Sequence, residues 1–229
     1  MLESSLRRRA LFTAGGAVAG SLALAGSATA TARPPATPRA AINELLTGNR
    51  RFAAGHARHP HQTPDRVREV AAGQHPFAVI LGCADSRVSP EIIFDQGIGD
   101  LFDDRVAGNI VDDLLLGSIE YALEEFVPPL LLVLGHERCG AVSATIDAVR
   151  TGTQPPGHIA AIVDALRPIV TPYVNSPDAV DLSVRANIRA QVAAVVEQSD
   201  IVREKVEQGQ TVVAGARYDL DSGLVTLVS

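Results

Sequence analysis

Two continuous apolar runs, Phe77 to Leu81 and Leu130 to Leu134, constrain this chain more than any other feature of its 229 residues. Each is short and bounded by glycine, and each reads as a buried strand. Helical patterns lie between such runs, and that alternation is the signature of βαβ units and a parallel sheet. Val212 to Ala214 and Leu224 to Val228 read as closing strands, with Asp221-Ser222-Gly223 as the turn between them. A weaker strand is expected around Asp100 to Val106, where Asp103 and Asp104 interrupt the apolar pattern. Helices are expected over 39–54, 64–73, 111–126, 140–150, 157–170 and 183–207, the last broken near Ser199. Another starts at Ser89-Pro90-Glu91, with serine as N-cap and proline in the first helical position. The expected fold is a single α/β domain with a mostly parallel central sheet flanked by helices.

The residues just past each main run carry the chemistry. The first run ends at Gly82 and gives way to Cys83-Ala84-Asp85-Ser86-Arg87; the second leads through Gly135 to His136-Glu137-Arg138-Cys139-Gly140. Cys83 and Cys139 are the only cysteines. In an open parallel sheet the ligand crevice lies at the carboxyl ends of strands, where strand order reverses. If the two strands are neighbours, Cys83 and His136 emerge side by side. Two thiolates and one imidazole make a three-ligand zinc set, with the fourth tetrahedral position left open as in a catalytic site. Arg87 can hold the Asp85 carboxylate in a fixed fork. The competing reading is a Cys83–Cys139 disulfide. A disulfide has no use for His136 three residues before Cys139, nor for the Asp85/Arg87 pair, although an Asp-x-Arg pair alone is more often a solvated surface feature.

The first 32 residues look like a targeting segment. Arg7-Arg8-Arg9 precede a mild apolar stretch from Thr13 to Gly26, and Ala28-Thr29-Ala30 and Ala30-Thr31-Ala32 both fit a small-residue cleavage site. The arginines followed by Ala10-Leu11-Phe12 resemble a twin-arginine signal, which implies the export machinery as partner and a destination outside the cytoplasm. An uncleaved membrane anchor is the alternative, though the stretch is short and glycine-rich for a span. The division expected is 1–32 export signal, 33–39 linker with Pro34, Pro35 and Pro38, and 40–229 catalytic domain. Without the leader, 17 basic side chains face 25 acidic ones, a net charge of −8. That balance argues against nucleic acid or an anionic membrane as partner.

From Phe77 onward, and in outline from about Ala40, the chain resembles the β-class carbonic anhydrases. The resemblance rests on Cys83-Ala84-Asp85-Ser86-Arg87-Val88 and on Gly135-His136-Glu137-Arg138-Cys139-Gly140-Ala141-Val142. Gly99 to Phe102, Arg105 to Asn109 and Ile119 to Ala122 add to it. It implies zinc bound by Cys83, His136 and Cys139, an Asp85/Arg87 catalytic dyad, and reversible hydration of carbon dioxide to bicarbonate. It implies a substrate pocket formed by Gln74, Phe102, Ala107, Gly108 and Tyr121, and a homodimer or higher even oligomer in which residues 40–73 lie against the partner. In the family Asp85 either orients the nucleophile or closes onto the zinc. Asp103 and Asp104 stand where many relatives are apolar, and the chain has no Trp. Two other functions fit the same residues: a carbon disulfide or carbonyl sulfide hydrolase on this fold, and a non-catalytic zinc- or bicarbonate-binding protein. His56, His59 and His61 form a candidate proton relay, because histidine titrates near neutral pH, although solvated loop histidines are the more common case.

Overall fold

The computed structural model describes residues 34–229; the expected export signal lies outside them. The first helix, α1 (Pro38–Ala53), starts where Thr37 accepts a hydrogen bond from the Ala40 N–H and Pro38 supplies a preset φ. Helix α2 (Pro64–Val70) repeats the device with Thr63 and Pro64. Strand β1 (Ala78–Gly82) comes next, then the short α3 (Pro90–Ile93), strand β2 (Leu101–Arg105) and helix α4 (Asp113–Glu125). Strand β3 (Leu130–His136) leads into α5 (Gly140–Thr151), α6 (Ile159–Val170), α7 (Ala179–Gln198) and α8 (Asp200–Glu207). Strands β4 (Val212–Tyr218) and β5 (Val225–Val228) close the chain.

The sheet runs in the order β2-β1-β3-β4-β5, parallel except for β5, which returns antiparallel beside β4. The chain moves from β1 outward to β2 and returns to place β3 on the other side of β1. The strand order therefore reverses between β1 and β3, whose carboxyl ends carry Cys83 and His136. Gly82 pairs with Leu134, so the expected adjacency of the two strands is met.

Side-chain alternation divides the core in two. Val79, Leu81, Leu131 and Val133 join a cluster with residues of α4 to α8, while Ala78, Ile80, Leu130 and Leu132 join one with α1 and α3. All eight are 3% exposed or less, and burying a large aliphatic side chain contributes about 1.5–3 kcal/mol. Helix α7 approaches β3 closely: a Cβ at Gly135 would stand 2.6 Å from Ile188 Cγ1. That contact sits one residue before His136.

Three elements stand out against expectation: the weaker strand forms, β4 runs longer and a helix starts earlier. β2 forms in spite of Asp103 and Asp104, as the edge strand. Backbone pairing to β1 is indifferent to side chains, Ser118 Oγ donates to Asp104 Oδ1 at 2.5 Å, and burial with the nearby Glu91 pushes the Asp103 carboxyl up to about 8. β4 runs on through Arg217 to Tyr218, because Arg217 is neutralised by Asp181 at 2.7 Å and Asp219 at 3.2 Å. Helix α7 starts four residues early, at Ala179, and breaks as expected at Ser199, whose Oγ accepts from the Val202 N–H to start α8.

Candidate metal centre

Cys83 is the first residue after β1, His136 the last of β3, and Cys139 the N-cap of α5. Their ligand atoms lie within 4.8 Å of one another, and the three residues are 4%, 0% and 2% exposed. Both cysteines are free, so the disulfide reading is not realised.

Each group is prepared for a cation. His136 Nδ1 is 2.9 Å from the Glu137 carbonyl, which can only accept; Nδ1 therefore carries the hydrogen and Nε2 presents its lone pair. Nε2 is buried without a hydrogen-bond partner, a costly arrangement unless something binds it. The Cys83 thiol is brought down to about 4 by hydrogen bonding from the Cys139 thiol, aided by the Gly108 N–H at 3.3 Å from Sγ. The same bond and burial push the Cys139 thiol up, against the N–H groups of Ala141 and Val142 at the start of α5. An orphaned imidazole nitrogen beside two buried cysteine sulfurs fits a soft divalent metal.

Asp85 and Arg87 meet as expected. Arg87 Nε donates to Oδ1 at 2.9 Å, a terminal guanidinium nitrogen donates to Oδ2 at 2.7 Å, and the Arg87 N–H donates to Oδ1 at 3.0 Å. These bonds, the side-chain ones foremost, hold the Asp85 carboxyl well below the usual carboxylate range. Oδ2 also lies 3.7 Å from His136 Nε2, so one oxygen faces the space where the ligand atoms converge.

Sequence reasoning gave no role to three residues that support this site. Arg105, at the end of β2, donates to the Cys83 carbonyl at 3.0 Å and the Asp85 carbonyl at 2.8 Å, fixing the backbone of the ligand loop. Asn187 and Gln191, buried on α7, hold the loop after β2: Asn187 donates to the Gly108 carbonyl at 2.8 Å, and Gln191 accepts from the Val111 N–H at 2.9 Å. Two amides four residues apart on the buried side of a helix were the available signal. Gly108 has a φ of +82°, and a Cβ there would stand 3.0 Å from Leu166 Cδ1, so glycine is needed where its N–H meets Cys83.

The other expected pocket residues divide by place. Ala107 lies beside Gly108 at the ligand end of the sheet. Phe102 pairs with Val79, four residues and about 13 Å along the strand from Cys83. It packs with Tyr121 and Phe126, ring centroids 6.3 and 6.2 Å away, at the β2 edge. Half-buried Gln74 precedes β1. One chain therefore does not bring Gln74, Phe102 and Tyr121 to the ligands. Nor does it bring His61, whose Nδ1 is 2.7 Å from an oxygen of Asp100 at the opposite end of the sheet.

The sequence model of the carbonic anhydrase family matches residues 78–225. Carbonic anhydrase 2 of Mycobacterium tuberculosis is 42% identical over 195 residues, spanning 85% of this chain and 94% of that protein. The carbonic anhydrase of Mycolicibacterium smegmatis is 40% identical, over 86% of this chain and 96% of its own length. Among solved structures, the Coccomyxa β-carbonic anhydrase in complex with acetazolamide superposes with a TM-score of 0.61 at 29% identity, covering 82% of this chain and 86% of that one.

Proposed function

Because the chain belongs to the carbonic anhydrase family, as a member of its β class, we propose that it hydrates carbon dioxide reversibly to bicarbonate and a proton, with zinc as its metal. The observation that carries the reading is the convergence of Cys83, His136 and Cys139 beside an Arg87-held Asp85. Two sulfur donors and one nitrogen suit zinc over harder divalent ions. Such an ion makes hydroxide available at neutral pH, where bulk water supplies almost none. The hydrolase and non-catalytic readings are not favoured, since the relatives at 42% and 40% identity are carbonic anhydrases. Carbon dioxide hydration by the protein, with its zinc content measured on the same sample, tests the proposal.

The residues divide the work. Asp85 accepts a hydrogen from the attacking oxygen at Oδ2 and so aims its lone pair at the carbon of carbon dioxide. Arg87 keeps that carboxylate ionised and in one orientation. Arg105 and the Gly108 N–H keep Cys83 and its loop in place. Asp85 is engaged by Arg87 through both oxygens, which favours its role as acceptor over closure onto the metal.

Gln74, Phe102 and Tyr121 line a pocket only if a second copy supplies them, so this reading carries a homodimer or higher even oligomer with it. Tyr121 is 53% exposed and Leu114, on the same helix, 86%, which leaves apolar surface for a partner. Light scattering on active protein should report an even oligomer; an active monomer overturns the assignment.

The leader supports export by the twin-arginine route, which carries folded cargo. Thiolate ligands load with zinc more safely in a reducing cytoplasm than after export. Among the described residues no helix is long and apolar enough to cross a membrane. Changing Arg8 and Arg9 together to lysine should leave the protein inside the cell with its leader uncleaved. Export at the parental level would favour an ordinary signal or an anchor.

A further inference from the structure

We propose that Glu137 and Arg138, the spacer between His136 and Cys139, are positioning residues: they latch the ligand loop onto the β4–β5 turn and set how slowly the site releases its metal. The proposal rests on the reading of Cys83, His136 and Cys139 as metal ligands.

The spacer needs an external hold. Arg138 has a φ of +51°, in the left-handed region that non-glycine residues adopt uncommonly and at an energetic cost. Packing does not enforce it, because Glu137 and Arg138 border an open cleft of about 320 Å³, together with Arg150 and Asp181. Hydrogen bonds on the other side do. The Glu137 N–H donates to the Tyr218 carbonyl at 2.9 Å, and its Oε2 accepts from the Leu220 N–H at 3.2 Å. The Arg138 guanidinium grips Asp221 with two parallel bonds of 2.9 and 2.7 Å. Arg217, 8% exposed, lies 3.6 Å from Glu137 Oε1.

The turn is itself rigid. Asp219 Oδ1 accepts from the Asp221 N–H, the Ser222 N–H and Ser222 Oγ at 2.9–3.2 Å. Buried Asn49 of α1 pins its far side, donating to the Gly223 carbonyl at 2.9 Å and accepting from the Val225 N–H at 2.8 Å. A fixed turn therefore holds a loop that would otherwise relax from its left-handed conformation and move Cys139 relative to His136. Groups that orient ligands without touching the metal typically govern affinity by about 10–100-fold.

The test uses zinc-loaded full chain and follows zinc release to a colorimetric chelator under reducing conditions. Asp221→Ala and Arg138→Asp should each release zinc about tenfold faster than the parent. Exchanging the pair, Arg138→Asp with Asp221→Arg, should bring the rate back to within about threefold of the parent. The unfolding midpoint of the metal-free proteins should not change, because exposed ion pairs contribute little to global stability. Parental release rates in both single variants overturn the latch. So does failure of the exchanged pair to restore slow release, or a lowered metal-free midpoint, which would mark the pair as merely structural. A parent chain that takes up no zinc overturns the metal reading itself, and the latch with it.

Discussion

Replacing Cys83 with serine is expected to strip the protein of its metal and of carbon dioxide hydration together, with activity falling by at least about a thousandfold as hydroxide reverts to its bulk supply. The change swaps one atom at a 4%-exposed position, so the fold should survive while the anionic sulfur is lost. His136→Ala should have the same effect on metal and activity, with some added cost from the space left in the core. Metal content, activity and free thiols must be measured together. In metal-free parent protein the Cys83 and Cys139 sulfurs are near enough that a modest shift would let them oxidise to a disulfide, which would imitate the loss. A Cys83→Ser protein that keeps both zinc and turnover would remove this residue from the ligand set.

Asp85→Asn should keep zinc yet lose turnover by about a hundredfold or more, the usual range for a positioned acid–base group. The amide matches the carboxylate in shape but faces Arg87 with a donor in place of one acceptor, so the fork cannot form as before. Arg87→Ala makes a finer distinction. Arg87 depresses the Asp85 carboxyl, so its removal lets that value rise toward an ordinary carboxylate, about 3.9. Asp85 would still be ionised at pH 7. The neutral-pH loss in Arg87→Ala should therefore come from lost orientation, while the acid limb of the pH profile moves upward. Near-parental hydration by both variants at pH 7 would leave the dyad with a structural role alone.

The elements legible in the sequence were those whose causes are local. β1 and β3 announce themselves because strands buried on both faces need unbroken apolar runs, and the ligands are found directly where those runs stop. β4 was only half legible: the apolar run stops at Ala214, before Gly215, while the strand continues to Tyr218 with Arg217 met by Asp181 and Asp219. Asp103 and Asp104 raised a doubt about β2 that the backbone register with β1 settles, with Ser118, from another element, meeting Asp104. Arg105, Asn187 and Gln191 stayed hidden for the same reason: each acts on backbone that is distant in sequence. No pattern within one segment records that an amide on α7 holds a carbonyl after β2. Gln74, Phe102 and Tyr121 show the limit in reverse: the family resemblance names them as pocket residues, yet within one chain Phe102 and Tyr121 lie at the β2 edge, away from Cys83 and His136.

The two acids of β2 have a consequence for how copies of the chain meet. Among the described residues β2 is an edge strand of the sheet, and exposed edges recruit foreign strands into aggregates unless something makes the addition unfavourable. Asp103 Oδ1 and Asp104 Oδ2 are already buried without hydrogen-bond partners. An added strand would shut out the remaining water near them while offering its edge donors to backbone carbonyls, so carboxyl desolvation would offset the gain from pairing. β5, at the opposite edge, has no such guard: its Leu227 is 50% exposed. Misassembly of this protein in concentrated or partly unfolded samples should therefore be lopsided, beginning along β5 while β2 stays unpaired.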